Sequence, residues 1–154
     1  MAPHASPATL PLVLTAAGRQ WLQARLERAN ERLERVVDEL ATERSDELLV
    51  EQAQLTEQIE ELSQLLRGAV APGEVADDPD VVELGDEVEV EFPDRSRETF
   101  LVVHPAEAGM DEHRTSADSP LARAVLGQRP GERVTVTSPA GAYGCTIIRR
   151  ERIS

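Results

Sequence analysis

Lysine is missing altogether: all 16 basic side chains among the 154 residues are arginine, set against 29 carboxylates for a formal net charge of −13. Such a balance repels nucleic-acid phosphate, which excludes direct sequence-specific DNA binding and makes a basic protein surface the expected partner. The arginine usage itself reflects coding composition as readily as a need for forked donors, so it carries no functional weight. Cysteine occurs once, as Cys145; an internal disulfide is therefore excluded, and the usage fits a reducing compartment. There is no apolar run of about 18 residues, the length a membrane span needs. The start "MAPHASPATLPLVLT" has no basic region ahead of its apolar residues, so neither a membrane segment nor a secretory signal is expected and the cytoplasm is the expected location. No glycine-rich phosphate loop is present. His4, His104 and His113 fall in a tail, a strand end and a loop, without the spacing of metal ligands.

What is present is 40% apolar and 29% charged, a globular composition sufficient for one domain or two small ones. The charge is uneven. Residues 1–70 carry 12 acids against 7 bases, 71–114 carry 14 against 3, and 115–154 carry 3 against 6. Residues 1–13 hold three prolines and read as a frayed arm. Thr15 is placed to cap a helix, and Leu22, Leu26, Ala29, Leu33, Val36 or Val37 and Leu40 then recur at the four-three spacing of a coiled-coil seam. Leu48, Leu55, Ile59, Leu62 and Leu66 continue it in a second run, with polar Gln52 at the remaining seam position and Gly68 placed to end the helix. Two such stripes joined by the short stretch "TERSDE", residues 42–47, predict an antiparallel helical hairpin over 14–69, reaching roughly 40 Å at 1.5 Å per residue. The same pattern alone would also suit a simple dimerisation coiled coil.

The segment "AVAPGEVADDPD" (69–80) has turn residues and no period, so 70–80 reads as a linker. Beyond it the period becomes two: Val88 and Val90, Phe100 and Val102, Val134 and Val136, Cys145 and Ile147 predict four short strands. Within "DSPLARAVLG" Ser119 suits an N-cap, Pro120 the first helical position and Gly127 the exit, while "SPAG" (138–141) suits a hairpin turn. The predicted class is α+β, a helical hairpin followed by a compact domain over 81–154.

Residues 119–148, "SPLARAVLGQRPGERVTVTSPAGAYGCTII", resemble the carboxy-terminal signature of the bacterial Gre transcript-cleavage factors. Residues 81–91, "VVELGDEVEVE", and 99–108, "TFLVVHPAEA", are placed as in that family, and 14–27, "LTAAGRQWLQARLE", resembles its opening helix. The resemblance covers about Leu14 to Glu151. It implies a coiled-coil arm inserted into the secondary channel of RNA polymerase, and an FKBP-like second domain docked at the channel rim, with the beta-prime subunit as partner. On it, Asp118, Ser119, Pro120, Leu121 and Arg123 take the place of the polymerase-facing motif.

The family's tip carries an Asp and a Glu three residues apart that help hold a second Mg²⁺ at the polymerase active centre, where the ion generates the nucleophile and offsets phosphate charge. Here an ungapped count puts Ala41 near that Asp and Arg44 near that Glu. Glu43, Asp46 and Glu47 remain as candidate tip acids able to meet polymerase-bound Mg²⁺. The chain is expected to hold no cofactor or metal of its own and to act as a non-enzymatic inhibitor. An active cleavage factor is the alternative. A prolyl isomerase would rest on fold analogy alone, and the domain offers only Phe92, Phe100 and Tyr143 to line a pocket; a coiled-coil adaptor is the remaining reading.

Overall fold

The computed structural model describes residues 12–74, 78 and 80–153; most of the arm and part of the linker lie outside them. Ala17–Ala69 form one compact unit, and the described residues up to Ala16 and from Val70 on form the other.

The seam leucines produce two helices, α1 (Ala16–Thr42) and α2 (Asp46–Gly68). Side-chain pairing fixes them as antiparallel. Near the start of α1 the Arg19 guanidinium donates to the carbonyls of Leu66 and Ala69 at 3.2 and 2.8 Å, and farther along Arg32 grips Glu51 at 2.6 and 2.8 Å. Leu22, Ala29, Val36 and Leu62 are buried, whereas the other seam leucines are half-buried, as follows when one helix can cover only one side of its neighbour.

The connection is three residues, 43–45, rather than the six read from sequence. α1 runs on through Thr42, and the Glu43 amide still donates to the Glu39 carbonyl at 2.9 Å. Ser45 then caps α2 from extended backbone (φ −139, ψ 129), its hydroxyl accepting from the Leu48 amide at 3.3 Å. Asp46 and Glu47 therefore occupy the first helical turn, where carboxylates complement the helix dipole. Ser45→Ala is expected to cost about 1 kcal/mol, read as earlier loss of helical signal and faster amide exchange at Leu48. An unchanged exchange rate there would refute the cap. Gly68 is the last residue of α2, but the chain leaves through extended Ala69 (φ −79, ψ 142) without the left-handed turn that glycine favours.

In the other unit five strands form one mixed sheet in the order β3-β2-β1-β5-β4. They are β1 (Asp86–Glu91), β2 (Arg97–Val103), β3 (Arg114–Ser116), β4 (Arg133–Ser138) and β5 (Gly141–Arg152). All neighbours are antiparallel except β2 and β3. The four strands read from alternation are present, and Val88, Val90, Phe100, Val102, Val134, Val136, Cys145 and Ile147 share one core with Ala122 and Val125 of the short helix α3 (Pro120–Val125). β3 and the 3-10 helix Pro105–Met110 before it were not read, because three half-buried polar residues have no apolar alternation to show. Val13, at the end of the expected arm, makes a parallel bridge to Val70, with Leu14 donating to the Val70 carbonyl at 3.0 Å and Val70 to that of Leu12 at 2.8 Å. Gly85 needs to be glycine: its φ is +92, and a Cβ there would lie 2.7 Å from Pro72.

Candidate functional site

Three groups of residues carry the chemistry. The first is the turn of the hairpin. Glu43, Arg44, Asp46 and Glu47 are all exposed, and the turn brings the three acids to one end of the hairpin with Arg44 among them. Among the described residues no three His, Cys, Asp or Glu side chains are grouped to hold a metal ion. Any ion met by the tip would thus complete its shell from elsewhere, since hard cations take six or more oxygen ligands.

The second group is the loop entering α3. Ser119 caps the helix, accepting from the Ala122 amide at 3.2 Å, and Pro120 stands at the first helical position, where its missing N–H costs nothing. Gly127 follows with φ +79. The cap leaves Asp118, Pro120 and Arg123 exposed, while Leu121 is half-buried against the core. Ser116 donates to the Asp118 carboxylate, which steadies that side chain at the surface. The five residues named from sequence therefore lie on one helix start, three of them exposed to a partner, with Ser119 capping the helix and Leu121 anchoring the loop.

The third group escaped the sequence reading: two buried carboxylates. Glu107, fully buried, accepts from the Thr15 amide at 2.9 Å, from the Thr15 hydroxyl at 2.6 Å and from Arg114 Nε at 3.0 Å. Thr15 stands directly before α1. Asp86, also fully buried, accepts from the Glu83 amide at 2.8 Å, from Arg150 at 2.8 and 3.2 Å, and from Arg152 at 2.9 Å. A signal for Asp86 existed: it is in phase with core-facing Val88 and Val90 along β1. Glu107 had none, because its partner Thr15 is 92 positions away.

The remaining singled-out residues are structural. Burial pushes the Cys145 thiol up, away from thiolate chemistry. His104 caps the 3-10 helix through Nδ1, accepting from the Ala106 amide at 3.0 Å; burial holds its pKa below the ordinary value, against the upward pull of Glu107 and Asp118. Phe100 is a core residue, Phe92 packs against that core, and Phe92 and Tyr143 pack on each other with ring centres 5.9 Å apart. Among the described residues no helix is long and apolar enough to cross a membrane.

Residues 76–152 match the family described as transcription elongation factor, GreA/GreB, C-terminal. The chain is 41% identical over 99 residues to transcription elongation factor GreA of Geobacillus kaustophilus, covering 64% of this chain and 63% of that one, short of two thirds of its length. It is 33% identical over 147 residues to GreA of Bacillus cytotoxicus, covering 88% and 93%. Among solved structures, GreA factor homolog 1 (Gfh1) of Thermus thermophilus shares 31% identity over 90% of this chain and 97% of its own, with a TM-score of 0.41. With one family description spanning all five strands and a relative matched through both units, the chain belongs to the GreA/GreB family of transcription elongation factors.

Proposed function

We propose that the protein binds RNA polymerase, places its hairpin in the secondary channel and restrains transcription without stimulating RNA cleavage. One observation carries the second half of this reading: the exposed end of the hairpin that carries Glu43, Asp46 and Glu47 also carries Arg44, near the place where the resemblance puts a metal-holding carboxylate. Arginine keeps its positive charge at any working pH and cannot ligate a cation. A rod of roughly 40 Å fills a channel by its bulk, and acids offered beside a cation disturb bound Mg²⁺ more readily than they position it. Docking is assigned to Asp118, Ser119, Pro120, Leu121 and Arg123, on the beta-prime side of the channel rim. No chemistry of its own is assigned to the chain, and its place of action is the cytoplasm, with the polymerase.

The test is a transcription assay with the cognate polymerase that scores RNA synthesis and RNA shortening together, at verified occupancy. Synthesis is expected to slow severalfold while the RNA of a backtracked complex keeps its length. If instead that RNA shortens, and Glu43→Ala with Asp46→Ala abolishes the shortening, the protein is an active cleavage factor. Unchanged synthesis at saturation removes the inhibitory reading.

A further inference from the structure

Most charges of α1 fall into two stripes. At 3.6 residues per turn, Arg25, Arg28, Arg32 and Arg35 lie within roughly 80° of its circumference, with Glu39 among them farther along the helix, and Glu27, Glu31, Glu34 and Asp38 lie within roughly 60° of a separate stripe. The arginine stripe borders the seam, and there α1 and α2 leave an open groove of about 240 Å³ lined by Arg25, Arg28, Ala29, Arg32, Leu55 and Gln58. Buried Ala29, with half-buried Leu55 across from it, gives the groove a small apolar floor.

The three guanidiniums differ in how they are held. Glu51 takes two of Arg32's five N–H donors, leaving Nη1 outside that pair; this bonding raises the Arg32 pKa and lowers that of Glu51. Arg25 lies over the Trp21 ring, 5.1 Å from its centre, which orients the plane of its guanidinium. Arg28 is exposed, and among the described residues it has no ion pair or hydrogen-bond partner. At the groove three cations meet the Glu51 carboxylate, with Glu39 adding a weaker pull on Arg32 from farther along α1; two of the cations are already oriented, so less freedom is lost when an anion arrives.

We propose that this groove binds a small polyphosphate anion. Neighbours three or four apart on a helix have Cβ atoms about 5–6 Å from each other, so an anion with linked phosphates can meet Arg28 together with Arg25 or Arg32, where a single carboxylate meets one. At about 240 Å³ the groove is smaller than the roughly 300–1,000 Å³ of ordinary ligand pockets, so it holds a short anion at its surface and does not enclose it. Gln58 adds an amide that can donate or accept, and the apolar floor gives a nucleoside a place to rest. This assignment is independent of the polymerase reading.

Calorimetric titration of the full chain at low salt tests it, with sodium tripolyphosphate, ATP and sulfate as probes. Tripolyphosphate is expected to bind one-to-one with a dissociation constant on the order of 0.1–1 mM, more tightly than sulfate, and to weaken as salt is raised. Arg28→Glu, at an exposed residue, is expected to weaken it about tenfold or more by replacing attraction with repulsion. Arg129→Glu, exposed in the other unit, carries the same change of net charge and is expected to shift binding less than twofold. Binding of ATP at least as tight as that of tripolyphosphate identifies a nucleotide as the source, and its failure leaves free polyphosphate. Tripolyphosphate without saturable binding at 10 mM, or equal losses in the two variants, would overturn the site.

Discussion

Glu107→Ala is expected to destabilise the sheet unit by about 3–5 kcal/mol, the usual cost of removing one partner of a buried ion pair. Arg114, with only 9% of its side chain exposed, would keep Asp111 but lose its fully buried counter-charge, and Thr15 would lose the acceptor of both its amide and its hydroxyl. Of these, loss of the internal charge dominates, because the two neutral donors account for roughly 1 kcal/mol each. Glu107→Gln retains an oxygen acceptor without the charge and should fall between the variants. Urea unfolding followed by near-ultraviolet and helical signals is the measurement. A loss below about 1 kcal/mol for the alanine variant would show that water replaces the carboxylate, contrary to the burial.

Asp86→Ala should rival it, again at about 3–5 kcal/mol. Arg150 and Arg152, both on β5, converge on this one carboxylate from the neighbouring strand. Without it two guanidiniums are left close together with their shared counter-charge gone. Because Asp86 is fully buried and Arg150 is only 12% exposed, salt should not restore the loss: raising ionic strength screens exposed pairs far more than buried ones. Recovery of most of the stability in 0.5 M salt would mean that the cluster is solvated. The surface pair Arg32–Glu51 is the comparison, since with about a third of each side chain exposed it is open to solvent and screened by salt.

What the sequence disclosed and what it hid have physical causes. Burial at a fixed period leaves a mark in sequence, so the hairpin seam and the four longer strands were legible, as was α3 with Ser119, Pro120 and Gly127 in their helix-end roles. Ser45 was overlooked because a serine among charged residues resembles loop, and the turn was drawn three residues too long as a result. β3 stayed hidden because it is a short parallel strand of three half-buried polar residues, with no apolar alternation to show. Glu107 is one of 29 acids. Nothing local separates it from its solvated neighbours, since two of the three hydrogen bonds described for it come from Thr15, 92 positions away. The tip acids and the loop at Asp118 could be located but not given a role from composition, because their chemistry lies with whatever they meet.

The bridge between Val13 and Val70 has a consequence for how this architecture can vary. The chain departs for the hairpin and returns from it through two residues already paired to each other, so the excursion is closed at its base. Its length is then a free parameter: matched numbers of residues can be gained or lost from α1 and α2, each heptad pair changing the reach by roughly 10 Å, while the pairing that closes the base stays as it is. A fold so arranged works as a ruler, with distance set by helix turns and the point of attachment set elsewhere.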